Sequence, residues 1–273
     1  MNRDWLDKLL QSKNYRDVCP DTVRRVWAEC EAKYKKPKDA DKAAREALHG
    51  ITGAFMTPAD AAACADSLRD WQVLERPDAL LSEALRRHAS TRERLPLRAM
   101  DALYGRVFDI TGKPGRVLDL ACGINPIYLG ARGHDVTGVD ISAAAVGLVN
   151  GFAASCGAPV RAFCADLLCD GGIPDKRYDV ALMLKLLPLL ERQRSGAAAR
   201  AMDAVNAAFI VASFPTRTLG GRNVGMAAHY SGWMATRLPA ARSIAATFET
   251  ENELYFILEE SRHESVSTQG SVL

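Results

Sequence analysis

The sequence predicts an α/β protein in which a doubly wound, mostly parallel sheet follows an all-helical N-terminal region. Three observations lead to this prediction. From residue 116 onward, short apolar segments alternate with Ala-rich segments of helical spacing, as in successive βαβ units. The last two apolar segments are separated by only a few polar residues, which indicates a closing antiparallel hairpin. The first hundred residues show helical spacing and no convincing strand.

The helical region is predicted over residues 1–108, with four to six helices. Apolar residues recur there at helical spacing, as at Val23, Val26 and Trp27 and again at Leu81 and Leu85. Such spacing places these side chains on one face of a helix, which has to be buried against another element. We therefore expect a separate N-terminal domain that precedes the sheet.

The strands are predicted over 116–120, 136–140, 160–164, 178–184, 209–213, 243–249 and 253–259. Together they form a seven-stranded sheet in a domain over residues 109–260, with the last two strands as the antiparallel hairpin. Residues 261–273 are polar, and we expect them to be a disordered tail.

The composition excludes several classes of protein. With 48% hydrophobic and 25% charged residues in 273, the chain is globular in composition and not collagen-like or intrinsically disordered. No apolar run is long enough for a signal peptide or a membrane helix, so no membrane partner is expected. Seven cysteines without a CxxC pair argue against a disulfide framework and against structural zinc. We therefore expect a cytoplasmic protein without a metal.

The first predicted strand runs into the sequence DLACGINP at 119–126. A turn that follows a strand in this way is where a doubly wound sheet binds its ligand. Its only glycine is Gly123, so the GxGxxG turn that accommodates a dinucleotide pyrophosphate is missing. Asp119 before the turn and Asp140 at the end of the second strand instead favour a cationic nucleoside without phosphate. S-adenosylmethionine fits that description.

Each carboxylate has a predicted role in that site. Asp119, with the backbone of Gly123, faces the charged methionine moiety, and Asp140 accepts hydrogen bonds from the ribose hydroxyls. Asp166, which follows the third strand, meets the exocyclic amine of adenine, and Leu167 packs on the ring. The alternative is that these aspartates only cap turns, as Asp often does at strand ends.

Lys185 leaves the otherwise apolar fourth strand. It is predicted to donate a hydrogen bond to an acceptor on the substrate and so to orient a ring nitrogen toward the methyl group. The alternative is a surface lysine whose stem covers apolar side chains. Glu191, on the helix that follows, either holds Lys185 or lies exposed.

Two segments carry a positive surplus. Residues 1–45 contain twelve Lys and Arg against eight Asp and Glu, and residues 213–242 contain four Arg and no acidic residue. Glycines in the second segment predict a mobile loop, and its aromatic residues include Tyr230 and Trp233. This mixture is typical of a surface that contacts phosphates and stacks on bases, so we expect an RNA-facing side. A solvated helix face and a substrate lid are the alternatives.

The chain resembles the aminoglycoside-resistance 16S rRNA methyltransferases that modify N7 of guanine 1405. The resemblance extends from about residue 14 to 258. Its most specific carriers are DLACGINP and FPTRTLGGRNVGM (214–226). The others are PDTVRRV (20–26), LHGITGAF (48–55), HASTRERLP (88–96), ADLL (165–168) and LKLLPLLERQ (184–193).

The resemblance implies a Rossmann-like class I methyltransferase domain and a helical domain that docks on the assembled 30S subunit. We expect the protein to be a monomer. It implies S-adenosylmethionine near His88, Arg94, Asp119, Ala121, Gly123, Asp140, Ile141, Asp166, Leu167 and Lys185. It points to Lys185 and Glu191 as target-recognition positions, and we predict that both act in catalysis. It assigns contacts with rRNA to Arg24, Arg25, Lys33, Lys35, Lys36, Arg217, Arg222, Met226 and Tyr230.

Two other functions stay open at this stage. A methyltransferase of small molecules would use the same three aspartates without the basic faces. A ribosome-binding factor without catalytic activity would use the basic faces without S-adenosylmethionine. For the segment at 88–96, the alternative to a site is a hinge held by caps and salt bridges.

Overall fold

The computed structural model describes residues 3–52, 55–216 and 225–261, and these form an α/β fold preceded by helices. The helices before the first strand are α1 (Arg3–Leu10), α2 (Pro20–Lys33), α3 (Pro37–Thr52), α4 (Pro58–Val73), α5 (Asp78–Arg86), α6 (Ala89–Arg92) and α7 (Leu97–Thr111). Within the described residues no helix is both long and apolar enough to cross a bilayer.

The α/β part contains seven strands and five helices in the described residues. The strands are β1 (Val117–Leu120), β2 (Val136–Asp140), β3 (Val160–Cys164), β4 (Tyr178–Leu184), β5 (Ala207–Pro215), β6 (Arg242–Glu249) and β7 (Glu253–Glu260). The helices are α8 (Asn125–Ala131), α9 (Ala143–Cys156), α10 (Leu187–Gln193), α11 (Ala197–Ala204) and α12 (Met226–Ala235).

The predicted fold class is confirmed, and no strand end differs from its prediction by more than two residues. Among the described residues, seven helices precede β1 where four to six were expected, because the seam contains the single turn α6. The predicted domain boundary after residue 108 lies inside α7. The predicted tail lies outside the described residues from 262 onward.

The strand order is β3-β2-β1-β4-β5-β7-β6. Strands β1 to β5 pair in parallel, and β7 is antiparallel to both β5 and β6. The order reverses at β1, which pairs with both β2 and β4. In an open parallel sheet the ligand crevice lies at the carboxyl ends of the strands beside such a reversal.

The core has two layers that follow the two faces of the sheet. One face packs against α4, α5, α7, α8 and α9, with Trp71, Met100 and Tyr128 in the same cluster as Val117 and Val180. The other face packs against α10, α11 and α12. Helices α4, α5 and α7 therefore share a core with the sheet.

Helices α1 to α3 form an N-terminal unit with its own apolar cluster, centred on Leu9, Trp27 and Leu48. Two backbone hydrogen bonds join this unit to the segment that follows β2. The N–H of Cys19 donates to the carbonyl of Ile141 over 2.7 Å, and the N–H of Ala143 donates to the carbonyl of Asp17 over 2.8 Å. The N-terminal unit thus lies beside the carboxyl end of the sheet.

Candidate active site

The turn after β1 brings the backbone to the surface at the carboxyl edge of the sheet. Every residue of β1 is buried, whereas Ala121 is exposed. Ala121 and Gly123 both adopt left-handed backbone conformations, with φ of 54° and 51°. A Cβ at Gly123 would lie 2.6 Å from Cε1 of His88. Only glycine fits between the turn and that ring.

His88 lies at the seam between the helices and the sheet and is the N-cap residue of α6. Its ring is buried, accepts the N–H of Ser90 at Nδ1, and stacks on Phe55 with ring centroids 5.9 Å apart. Burial, together with the charges of Arg94 and Arg92, lowers the pKa of His88 to about 4. The imidazole is therefore neutral at physiological pH and acts here as a cap and a packing group.

Asp119 is a buried carboxylate without a basic side chain in contact. It accepts a hydrogen bond of 2.7 Å from Nδ2 of Asn125, whose Oδ1 in turn accepts the hydroxyl of Tyr104 over 2.9 Å. Burial raises the pKa of Asp119 to about 7, although the Asn125 amide and the Arg94 charge act in the opposite direction. A cationic ligand would strongly stabilise the ionised form of a carboxylate in this environment.

Asp140 closes the turn from the neighbouring strand. Its Oδ2 accepts the N–H of Gly123 and its Oδ1 accepts the N–H of Ser142, each over 2.8 Å. Burial raises its pKa, and the backbone N–H groups oppose that shift. The backbone N–H of Ile141 also bonds to this carboxylate, which leaves part of its acceptor capacity free. Ile141 follows it and is partly exposed.

Asp166 is held by a residue from the N-terminal unit. Both Nε and Nη2 of Arg25 lie 2.9 Å from its Oδ2, and its Oδ1 accepts the N–H of Leu168 over 2.8 Å. The predicted role of Arg25 in binding rRNA does not agree with this structure, because its side chain is only 8% exposed. Leu167 lies beside Asp166 and packs partly buried against the second core cluster.

Lys185 belongs to a charged cluster at the end of β4, which we call the Lys185 cluster: Glu93, Arg94, Lys185, Ser213 and Glu253. Nζ of Lys185 pairs with the carboxylate of Glu93 and lies 3.6 Å from Oε1 of Glu253. Nε of Arg94 lies 2.9 Å from the same Oε1, and Ser213 donates to the other oxygen over 2.5 Å.

Glu253 is almost fully buried within the Lys185 cluster. Burial raises its pKa, but the charges of Arg94 and Lys185 and the Ser213 hydroxyl outweigh this effect and lower the pKa. Lys185 itself is 23% exposed and has a φ of 56°. Its ammonium is thus held in place at the crevice rather than extended into solvent.

Glu191 has neither of the two predicted environments. Its carboxylate accepts the N–H groups of Gly196 and Ala198 over 3.0 and 3.3 Å and pairs with Arg237 at 3.5 Å. These backbone bonds lower its pKa against a smaller effect of burial. Glu191 therefore caps α11, where a carboxylate favours the helix N-terminus, and makes no contact with Lys185.

The remaining predicted RNA contacts fall into two groups. On the N-terminal unit, Lys33, Lys35 and Lys36 are exposed, and Arg24 is exposed beside Asp21. The second group lies within residues 213–242, where a mobile loop was predicted. This segment instead contains the helix α12, which begins at Met226. The ring of Phe214 on β5 packs against the partly buried rings of Tyr230 and Trp233 and so attaches the helix to the sheet. Arg217 and Arg222 lie outside the described residues.

Several residues of the site carried no usable signal in the sequence. Asn125 is a partial exception, because it stands in the DLACGINP motif at the first turn of α8, where a buried amide could have been predicted. Tyr104 and Glu253 have no such signal in the sequence. Glu253 reaches the site only because β7 returns antiparallel to β5, which pairs it with Pro215. Within the described ranges no group of His, Cys, Asp or Glu has the arrangement of a metal site.

The strand order and the three carboxylates at or just after the ends of β1, β2 and β3 define a Rossmann-like class I methyltransferase. The chain belongs to the ribosomal RNA methyltransferase (FmrO) family, which it matches over residues 11–250. The resemblance read from the motifs is confirmed.

Named relatives support this membership. Over 259 residues the chain is 40% identical to the 16S rRNA (guanine(1405)-N(7))-methyltransferase of Serratia marcescens, covering 94% of this chain and 98% of that protein. It is 35% identical over 261 residues to the enzyme of the same name from Micromonospora echinospora, covering 92% and 94%. The crystal structure of the 16S rRNA methyltransferase RmtF in complex with S-adenosyl-L-homocysteine is 46% identical, with a TM-score of 0.86 over 95% of this chain and 98% of that one.

Proposed function

We infer that the protein transfers a methyl group from S-adenosylmethionine to N7 of guanine 1405 in 16S rRNA, acts on the assembled 30S subunit, and thereby confers aminoglycoside resistance. The observation that carries this inference is the crevice after β1, where a buried carboxylate with a raised pKa precedes a turn whose first residue, Ala121, is exposed. Membership of the rRNA methyltransferase family identifies the class of substrate.

The residues of the crevice fit S-adenosylmethionine. This compound has a cationic ammonium group and no phosphate, and when bound it supplies an electrophilic methyl group. Asp119 accepts from the ammonium, and its pKa falls when it does so. Asp140 accepts from the ribose hydroxyls with its free acceptor positions, and Asp166 accepts from the adenine amine. Leu167 contributes an apolar surface for the ring.

The reaction requires no general base, because guanine N7 carries a free lone pair at neutral pH. Catalysis then consists of orienting the base, excluding water and holding N7 in line with the methyl group. Lys185, fixed by Glu93 and Glu253, donates to the carbonyl oxygen beside N7. Cys122 in the turn is no nucleophile, because burial and the charges of Asp140 and Asp119 raise the pKa of its thiol strongly. No covalent enzyme intermediate is involved.

The RNA surface consists of the exposed cations Arg24, Lys33, Lys35 and Lys36 together with Met226 and Tyr230 at α12. In A-form RNA the major groove hides N7, so the guanine has to leave the helix to reach the crevice. The cations then contact phosphates and position the subunit. Arg217 and Arg222 are proposed to act with them. A 30S target places the enzyme, acting as a monomer, in the cytoplasm.

The test is methyl transfer from labelled S-adenosylmethionine to purified 30S subunits and, in parallel, to naked 16S rRNA. Borohydride and aniline then cleave the RNA at any 7-methylguanine. We expect one cleavage, at guanine 1405, from 30S subunits only, and no label with Asp119→Asn. Label without cleavage would show that another atom is methylated. No label at all would favour a small-molecule methyltransferase.

A further inference from the structure

Arg25 reaches from the N-terminal unit into the cofactor crevice. It lies on α2, and its guanidinium contacts Asp166, which is 141 residues away in sequence. The two side chains are 8% and 4% exposed, so the ion pair is buried. Nη2 of Arg25 also donates to Oε1 of Gln193 over 2.8 Å. Nη1 also pairs with Oε2 of Glu29 at 3.4 Å, so three side chains hold the guanidinium.

The contacts of Asp166 with Arg25 and Leu168 leave an acceptor position on Oδ1 for a ligand. An ionised carboxylate has about four acceptor positions, two on each oxygen. Oδ2 faces two nitrogens of Arg25, and Oδ1 already accepts the N–H of Leu168. The remaining position is on Oδ1. Arg25 holds Oδ2 and the N–H of Leu168 holds Oδ1, so the carboxylate is held at both oxygens, and this fixes where that position lies.

Attachment of the N-terminal unit does not require this ion pair. Backbone bonds of Cys19 and Ala143 already join the unit to the segment after β2, and burying two charges has a desolvation cost that an apolar contact would avoid. On the same helix, Arg24 pairs locally with Asp21 in solvent. Arg25 instead extends to Asp166, and Glu29 on the same helix pairs with Arg194 at 2.7 Å and so also joins the unit to the catalytic part.

We propose that Arg25 is a positioning residue for adenine: it orients Asp166 so that Oδ1 accepts the exocyclic amine of S-adenosylmethionine. The N-terminal unit thereby supplies part of the cofactor site in addition to its RNA surface. This inference rests on the proposed function, since it assumes that S-adenosylmethionine is the ligand.

The experiment measures binding of S-adenosyl-L-homocysteine and of its analogue with hydrogen in place of the 6-amino group, by calorimetry. We expect the wild type to prefer the amine by about tenfold, the contribution of one hydrogen bond to a charged acceptor. In Arg25→Gln, Asp166 loses its orientation, so the preference falls to about threefold or less. Arg25→Lys keeps the charge but not the fork and should recover only part of the preference.

Two further variants separate positioning from stability. Arg45→Gln is the matched control, because it removes an Arg–Asp pair of 2.9 Å within the N-terminal unit, and it should leave the preference unchanged. Asp166→Asn should abolish the preference, and adding Arg25→Gln to it should lower the preference no further.

Retention of the full preference by Arg25→Gln would overturn the proposal, whatever happens to the thermal stability of that variant. Loss of the preference in Arg45→Gln as well would also overturn it, because any weakening of the unit would then suffice. A wild type that binds neither compound, and transfers no methyl group to 30S subunits, would overturn the proposed function itself.

Discussion

Two buried carboxylates at the same sheet edge have opposite pKa shifts, and the difference is due to their partners. Glu253 contacts Arg94 and lies near Lys185, so its pKa is lowered despite burial. Asp119 contacts only the neutral amide of Asn125, so burial dominates and its pKa rises to about 7. Glu253 therefore holds other side chains in place, whereas Asp119 is proposed to bind the cationic group of the cofactor.

Cofactor affinity should depend on pH through Asp119. Its pKa of about 7 in the free protein means that acid converts it to the neutral form, which binds an ammonium group poorly. We expect the affinity for S-adenosyl-L-homocysteine to rise about tenfold between pH 5.5 and 7, as the ionised fraction of Asp119 increases. Calorimetry at several pH values measures this.

Asp119 should also make the stability of the free protein depend on pH. Its contribution to stability should fall as the pH rises, whereas its contribution to cofactor affinity should increase. A pKa raised above its unfolded value of 3.8 gives a contribution that is present below pH 4 and is lost as the pH rises toward 7. Asp119→Asn should thus raise the melting temperature of the free protein by a few degrees at pH 8 and much less at pH 5. An equal shift at both pH values would contradict this account.

Lys185 is expected to affect turnover more than binding. Its ammonium is held by two carboxylates and is proposed to contact the substrate base, while the cofactor carboxylates lie on other strands. Lys185→Ala should lower the single-turnover rate on 30S subunits by about a hundredfold, the typical effect of removing one transition-state donor. The affinity for S-adenosyl-L-homocysteine should change less than threefold. Loss of cofactor binding would assign Lys185 to the cofactor site instead.

At the scale of elements, the turn from β1 to α8 depends on α6. The turn needs a left-handed backbone conformation at Gly123. The ring of His88, the N-cap residue of α6, fills the space where a Cβ of residue 123 would lie. The glycine in the turn after β1 and the histidine in the helical region are therefore packed against each other, and neither can be changed independently. This contact aligns the seam with the cofactor crevice.

Substituting Gly123 should be costly for two separable reasons. Gly123→Ala introduces strain at positive φ, about 1–2 kcal/mol, and a clash with the imidazole of His88. The double variant Gly123→Ala with His88→Ala should relieve the clash and recover part of the lost melting temperature. Gly151→Ala, at an open helical position in α9, is the control and should stabilise by about 0.5–1 kcal/mol. An unchanged melting temperature of Gly123→Ala would refute the close contact.

At the scale of the whole molecule, the N-terminal unit joins the catalytic part beside the ends of β2 and β3. Its contacts there include backbone bonds to Ile141 and Ala143 and the buried pair of Arg25 with Asp166. The face of the unit that carries Lys33, Lys35 and Lys36 is exposed. One small helical unit is thus part of both proposed binding sites.

Binding of 30S subunits and of cofactor should therefore be coupled. We expect S-adenosyl-L-homocysteine to increase the affinity for 30S subunits by about fivefold, at the lower end of typical coupling. By linkage, 30S subunits must increase the affinity for the cofactor by the same factor. In Arg25→Gln both factors should approach one. A 30S affinity that does not respond to the cofactor in the wild type would show that the two sites are independent.

The sequence by itself determined the order of the strands along the chain and the helical character of the N-terminal region, and it predicted a site at the turn after β1. Strand positions follow from local apolar runs, and the turn at 119–126 follows from a motif of eight adjacent residues, so both depend on neighbours in the chain. Even the three carboxylates could be found in this way, because each stands at or near the end of a predicted strand.

Only the tertiary structure decided which charges meet. From the sequence, Arg25 was one of several cations in a basic segment. The packing of α2 places its side chain against Asp166. Glu253 had no signal until β7 returned antiparallel beside β5, and Glu191 proved to cap α11 rather than hold Lys185. Charged side chains are long and their pairing has no periodicity in sequence, so their partners depend on how distant elements pack and on which charges burial leaves without water.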